Sequence, residues 1–257
     1  MLRRVTATRY VTPFREGGSV PALMEADDDG MYVVKFRGAG QGPKALVAEI
    51  VAGELARRLD LPVPEIVLVD LDPALGRAEP DVEIQELLER SAGTNVGLDF
   101  LPGSLPFDAA AGSPPAPELA AAIAWFDALV TNVDRSPRNV NLLVWHGRLH
   151  LIDHGAALYV QHTWRDPDEH ARRSFPPIRD HVLLPYATSI AASDEALADR
   201  LDERTIADVV DLVPDDLLGD ALFPDIATER RAYVDYLVRR LEPPRPFVEE
   251  ADRARAA

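Results

Sequence analysis

The chain has 257 residues, 47% of them hydrophobic, enough to bury a full core in one large domain or two closely packed lobes. Its formal charge of −16, from 43 acidic against 27 basic residues, argues against general attraction to nucleic acid or anionic lipid. No window approaches the roughly 18 uninterrupted apolar residues of a membrane span, and the absence of cysteine excludes disulfides, thiolate metal sites and cysteine nucleophiles, in keeping with a reducing, cytoplasmic setting.

The opening stretch, MLRRVTATRYVTPF, alternates apolar and polar residues and lacks the apolar core of a signal peptide, so residues 3–12 are predicted as a strand. Arg15, Glu16, Gly17, Gly18 and Ser19 then supply two adjacent glycines for a tight turn, with residues 20–26 as the return strand. Asp27, Asp28, Asp29 and Gly30 read as a second, solvated turn, and MYVVKF as a third strand. Pro43 begins a helix whose Val47, Val51, Leu55 and Leu59 share a face, and Pro62 and Pro64 end it. Residues 65–71 and 81–88 are strand-like, giving a small antiparallel sheet with one helix in the first 90 residues.

Residues 102–117, with five prolines, two glycines and two serines, are predicted as a loop or partly disordered insertion. Residues 118–132 have helical periodicity through Leu119, Ile123, Phe126 and Val130. Two short strands, 140–144 and 148–152, flank a turn at His146 and Gly147. Helices are expected near 177–185, 194–201, 203–213 and 226–241, with a mobile tail from Pro243.

Chemistry concentrates between Asn132 and Gly155. Asp134 and Asn139 have the Asp-x-x-x-x-Asn spacing of a kinase catalytic loop, a strand pair follows, and its second strand runs into Asp153, His154 and Gly155. Two carboxylates and an amide at strand ends are what phosphoryl transfer requires, namely hard oxygen ligands for Mg²⁺ and a carboxylate directed at the attacking hydroxyl. The text FDALVTNVDRSPRNVNLLVWHGRLHLIDHGAAL, residues 126–158, resembles the HipA-like atypical kinases and, more distantly, the phosphoinositide 3- and 4-kinase catalytic domains. That resemblance implies Asp134 as the catalytic carboxylate and Asn139 and Asp153 as Mg²⁺ ligands. Ser136 and His154 depart from the His and Phe that the lipid kinases usually carry there.

Lys35, in the strand VVKF, looks like the phosphate-binding lysine of a kinase small lobe, and Glu49 is a candidate counter-charge on the following helix. Gly17, Gly18 and Ser19 could cover ATP phosphates with backbone N–H groups, and Ser19 is the first candidate for self-phosphorylation. Position alone places an adenine-binding hinge at Glu86 and Leu88. His146, His150 and His154 are spaced by four, but strands do not put that spacing on one face, so His146 and His150 read as surface residues. Trp164, Arg165, Arg172, Arg173 and Arg179 fall where kinases place substrate-facing loops.

The resulting expectation is an α+β, two-lobed protein-kinase-like fold: a β-rich N-lobe (1–90), a hinge and proline-rich loop (91–117), a helical C-lobe (118–241) and a mobile tail (242–257). ATP and Mg²⁺ would be its cofactors and a protein serine or threonine its acceptor, with no nucleic-acid or membrane partner. The alternatives are a pseudokinase acting as an interaction module and a kinase-fold AMP transferase.

Overall fold

The computed structural model describes residues 1–14, 20–110 and 114–257, so the reading of Gly17, Gly18 and Ser19 lies outside the described residues. Strands β1 (Arg3–Pro13), β2 (Ala22–Ala26), β3 (Met31–Lys35) and β4 (Ile66–Leu71) stand where alternation and β-branched content predict them. Strand β5 (Gly93–Asp99) was not predicted. The first residues of β1 pair with β4 in parallel, and from Ala7 onward β1 pairs antiparallel with β2, with register shifts after Ala7 and Tyr10. Irregularities of this kind bend and twist a strand. The sheet therefore closes as a barrel in the order β1-β2-β3-β5-β4, which corrects the wholly antiparallel sheet at its β1/β4 seam. Val5, Met24, Tyr32, Val34, Val67 and Val69 fill the interior. Gly97 is dictated by that crowding, since a Cβ there would lie 2.8 Å from Val69 Cγ2.

The strand expected over 81–88 is instead helix α2 (Val82–Arg90), and α1 (Pro43–Arg58) precedes it. Asp81 caps α2 by accepting from the Glu83 N–H at 3.0 Å, and Ile84, Leu87 and Leu88 fall on one face against the barrel. Helix α1 was predicted to bury one face. It buries every residue from Leu46 to Ala56, because the barrel covers one side and the C-terminal part the other.

The C-terminal part opens with α3 (Pro117–Leu129) and a three-stranded sheet of β6 (Leu105–Pro106), β7 (Leu142–Trp145) and β8 (Arg148–Leu151). Helices α4 (Pro167–Ala171), α5 (Asp194–Ala198), α6 (Glu203–Val210), α7 (Ile226–Leu241) and α8 (Pro246–Ala256) follow. The helix predicted at 177–185 is two 3-10 turns, Pro176–Asp180 and Leu184–Tyr186, since Pro176, Pro177 and Pro185 interrupt an α-helical ladder. No helix among the described residues is long and apolar enough to cross a membrane.

The mobile tail is also corrected, because α8 buries Phe247, Val248 and Ala251. Phe247 packs edge-on against Trp125 of α3 and lies under the guanidinium of Arg240. Arg240, itself buried, donates to the carbonyls of Ala128 at 2.7 Å and Leu129 at 2.6 Å, so α7 and α8 together cap the end of α3 that leads into residues 130–139. Phe247→Ala is expected to cost about 3–5 kcal/mol by urea unfolding. A change below 1 kcal/mol would mean that the tail contributes nothing to the core.

Candidate active site

Alternation along β3 sends Val34 into the barrel and Lys35 to the opposite face, toward α1. A lysine among apolar neighbours needs a counter-charge, and α1 supplies Glu49, which is fully buried and lies 2.6 Å from the Lys35 Nζ through Oε2. The same ammonium donates to Asp153 Oδ1 at 2.5 Å. Burial alone would lower the pKa of Lys35, but the two carboxylates outweigh it and hold the ammonium above its ordinary range. Burial likewise opposes ionisation of Glu49, and Lys35 with His154 overcomes it, holding this carboxyl down at about 2.

Glu49 also accepts from the His154 main-chain N–H at 2.8 Å, so one carboxylate fixes both the lysine and the backbone directly after Asp153. Asp153 sits at φ 56°, a left-handed conformation that Asp tolerates better than most side chains. That turn ends β8 and presents the carboxylate to Lys35, with the Asp153 side chain 38% exposed. Gly53 lets α1 approach closely, since a Cβ there would stand 2.4 Å from Ile66 Cδ1 and 3.7 Å from His154 Nδ1. The imidazole of His154 is buried edge-on against Phe126, whereas His146 and His150 flank Trp145 at the β7–β8 turn.

Asp134 and Asn139 form a second group. The Asn139 amide donates to Asp134 Oδ2 at 2.8 Å, leaving its oxygen as a ligand atom, and Asn141 Nδ2 donates to the Asp134 carbonyl at 2.7 Å. Arg135 joins the two groups. Its Nη1 donates to the carbonyls of Asn141 and Ile152, the latter directly before Asp153, and its Nε to Asp127 Oδ2 at 2.6 Å. Asp127 was missed in the sequence, where α3 was read from its apolar positions. The signal available was a carboxylate placed directly after Phe126 in a stretch, Leu119 to Leu129, that is otherwise apolar, since a buried charge must have partners.

Glu86 and Leu88 do not join this arrangement. Both belong to α2, whose backbone groups bond within the helix, and Glu86 faces solvent while Leu88 packs into the barrel core. The strand leading to the proline-rich loop is β5, so residues 99–102 are the connection between the two parts. Among the arginines further along, Arg173 pairs with Glu169 and Arg179 lies beside Asp180, all exposed, and Trp164 packs against Phe223 and Tyr233.

The donor set suits a hard divalent cation. One ammonium faces two carboxylates, and Asp153 and Asn139 offer oxygen. Among the described residues no group of three or more His, Cys, Asp or Glu could hold a metal unaided, so Mg²⁺ would need phosphate and water oxygens as well, its usual mode beside nucleotides.

A family model for HipA-like kinases matches residues 8–203. Over 100% of this chain and 99% of the other, the structure is similar to the crystal structure of the Helicobacter pylori proinflammatory kinase CtkA, with a TM-score of 0.58 at 15% identity. No curated protein matches the sequence.

Glu49→Gln leaves Lys35 buried with half its counter-charge and is expected to cost roughly 3–5 kcal/mol at neutral pH. Because the folded Glu49 binds its proton less readily than the unfolded one, its contribution is complete above about 4.5 and is lost as pH falls toward about 2. Urea midpoints across that window should therefore fall more steeply for the native chain than for Glu49→Gln. Parallel curves would remove the assignment.

Proposed function

The chain belongs to the HipA-like kinase family, a family of kinase-type phosphotransferases, and from that premise we propose that it transfers the γ-phosphate of Mg·ATP to a protein serine or threonine hydroxyl. The observation that carries this reading is the Lys35 ammonium bound at once to Glu49 of α1 and Asp153 after β8. In this reading the fold is a two-lobed kinase arrangement, with residues 1–99 as the N-lobe, 100–104 as connection and 105–256 as the C-lobe. The N-lobe boundary moves from 90 to 99 because β5 completes the barrel.

Lys35 would grip the α- and β-phosphates, and Glu49 holds it in place. Asp153 and the Asn139 oxygen would hold Mg²⁺. When bound, that ion supplies neutralisation of the charge spread over the transferring phosphoryl oxygens. Asp134 would orient the acceptor hydroxyl and take its proton, and the hydrogen bond from Asn139 fixes which way the carboxylate turns. The backbone of residues 99–102 would offer groups to adenine. The chain's charge of −16 and its lack of a basic amphipathic helix favour a protein acceptor over a lipid headgroup.

Mg·ATP should raise the melting temperature, equivalent to about 2.7 kcal/mol at a hundred times the dissociation constant. Asp153→Ala should abolish both that shift and phosphotransfer. Asp134→Asn should keep the shift while turnover falls roughly 10²–10⁴-fold. No shift at millimolar Mg·ATP would favour an interaction module, and transfer of label from α- but not γ-labelled ATP would indicate AMP transfer.

Asp153→Ala retaining full transfer would sink the proposal.

A further inference from the structure

Three segments that contribute to the proposed site are tied to a single buried carboxylate. Asp127, in the last turn of α3, is fully buried, and each of its oxygens is occupied. Oδ1 accepts from Asn132 Nδ2 at 3.0 Å, and Oδ2 accepts from Arg135 Nε at 2.6 Å and from His181 Nε2 at 2.9 Å. Burial would raise its pKa, but Arg135 and His181 outweigh it, and Asp127 is held well below the usual carboxylate range.

Arg135 carries this anchoring in two directions, along its own backbone to the adjacent Asp134 and through Nη1 to the carbonyls of Asn141 and Ile152. His181 carries it in a third. Its Nδ1 accepts from the Leu183 N–H at 3.1 Å, which leaves the ring proton on Nε2 to be donated to Asp127. The chain there is also bonded to the Asp134 loop directly, Val182 N–H to the Arg135 carbonyl at 3.1 Å. Asn132, Arg135 and Ser136 form one wall of a small cleft beside Asp134, and Ile178, Asp180 and His181 form the other. Val133 and Arg135, the two chain neighbours of Asp134, both line the cleft, so the spacing of these walls bears directly on the backbone that carries Asp134.

We propose that His181 is a positioning residue for phosphoryl transfer, holding the far wall of this cleft to Asp127 so that it keeps one fixed spacing from Asp134. The proposal rests on the kinase reading for its chemistry and on the hydrogen bonds alone for its structure. Gln at 181 can place an amide N–H where Nε2–H stands, whereas Ala cannot, and with Ala the Asp127 carboxylate still keeps Asn132 and Arg135. The His181→Ala chain therefore retains the partners that keep Asp127 from being an orphan charge.

The test compares the native chain with His181→Ala and His181→Gln in two measurements. The first is turnover of γ-labelled Mg·ATP, where His181→Ala should lower kcat by roughly ten- to a hundredfold with KM for ATP changed less than about twofold, and His181→Gln should recover most of it. The second is hydrogen–deuterium exchange over residues 132–141, which should quicken in His181→Ala, return toward native in His181→Gln, and stay unchanged over α7 in both.

Unchanged exchange over 132–141 in His181→Ala overturns the proposal, as does an equal change in the Ala and Gln variants. If the native chain transfers no phosphate, the kinase reading fails while the exchange measurement still decides whether His181 holds the Asp134 loop. An activity loss that Gln does not recover, with exchange unaltered, assigns His181 to some other role.

Discussion

A lysine ammonium removed from water is stable only where carboxylates replace its hydration, and for Lys35 both replacements arrive from distant sequence. Glu49 comes from a helix 14 positions on and Asp153 from the end of a strand 118 positions on. The ion cluster therefore exists only when barrel, α1 and C-terminal sheet are all assembled. Helix α1, the outer faces of β4 and β5 and the C-terminal sheet share one apolar core, and beside it one cation from the barrel meets two anions, one from each of the other two elements. The interaction is also unbalanced. Glu49 is buried and committed, while the Asp153 side chain keeps an exposed edge.

Helix α1 explains why Glu49 does not wander. A helix exposed on one face can tilt away from its partner, but α1 is enclosed on every side and clasped at both ends by the C-terminal part. Ahead of its N-terminus, Arg37 donates to the Asp216 carbonyl at 2.9 Å, and in its first turn Lys44 pairs with Asp220 at 2.5 Å and donates to the Gln161 carbonyl at 2.7 Å. At its C-terminus Arg200 donates to the carbonyls of Arg58 and Leu59, satisfying groups that a helix end leaves free. Arg57 and Arg58 in the last turn suit the dipole there. The carboxylate that orients Lys35 is thus mounted on an element shared by both parts of the molecule.

What the sequence made legible follows from the range of each signal. Strands β1 to β4 and helices α1, α3 and α7 carry local periodicity, and the text around Asp134, Asn139 and Asp153 carried the resemblance to the HipA-like family before any geometry. Residues 81–88 were misread because Val82 and Ile84 alternate like a strand, while the spacing that decides for a helix, Ile84 to Leu87 and Leu88, falls at its end. Strand β5 was lost with it, since Gly93, Asn95 and Gly97 are poor strand formers that only closure of the barrel requires. Phe247 could be read as tail because the ring it packs against, Trp125, is far away in sequence. His181 has no local signature, since its partner Asp127 lies 54 positions away.

The chain's acidity bears on how such a site could admit a polyphosphate. Lys44, Arg37 and Arg135 are engaged by protein carboxylates or carbonyls and Lys35 is shared between two anions, whereas Arg138, directly before Asn139, is exposed. With Arg135 neutralised by Asp127, the two cations Lys35 and Arg138 face the three carboxylates of Asp134, Asp153 and Glu49, so the local balance is negative by one before any phosphate arrives. Coulomb repulsion at such separations and reduced dielectric is worth several kcal/mol, so under the proposed function a nucleotide would enter favourably only with its own cation, for which the exposed edge of Asp153 is the proposed ligand. The negative balance that looks unfavourable for ATP is therefore a physical reason to expect the metal and the nucleotide to bind as one species.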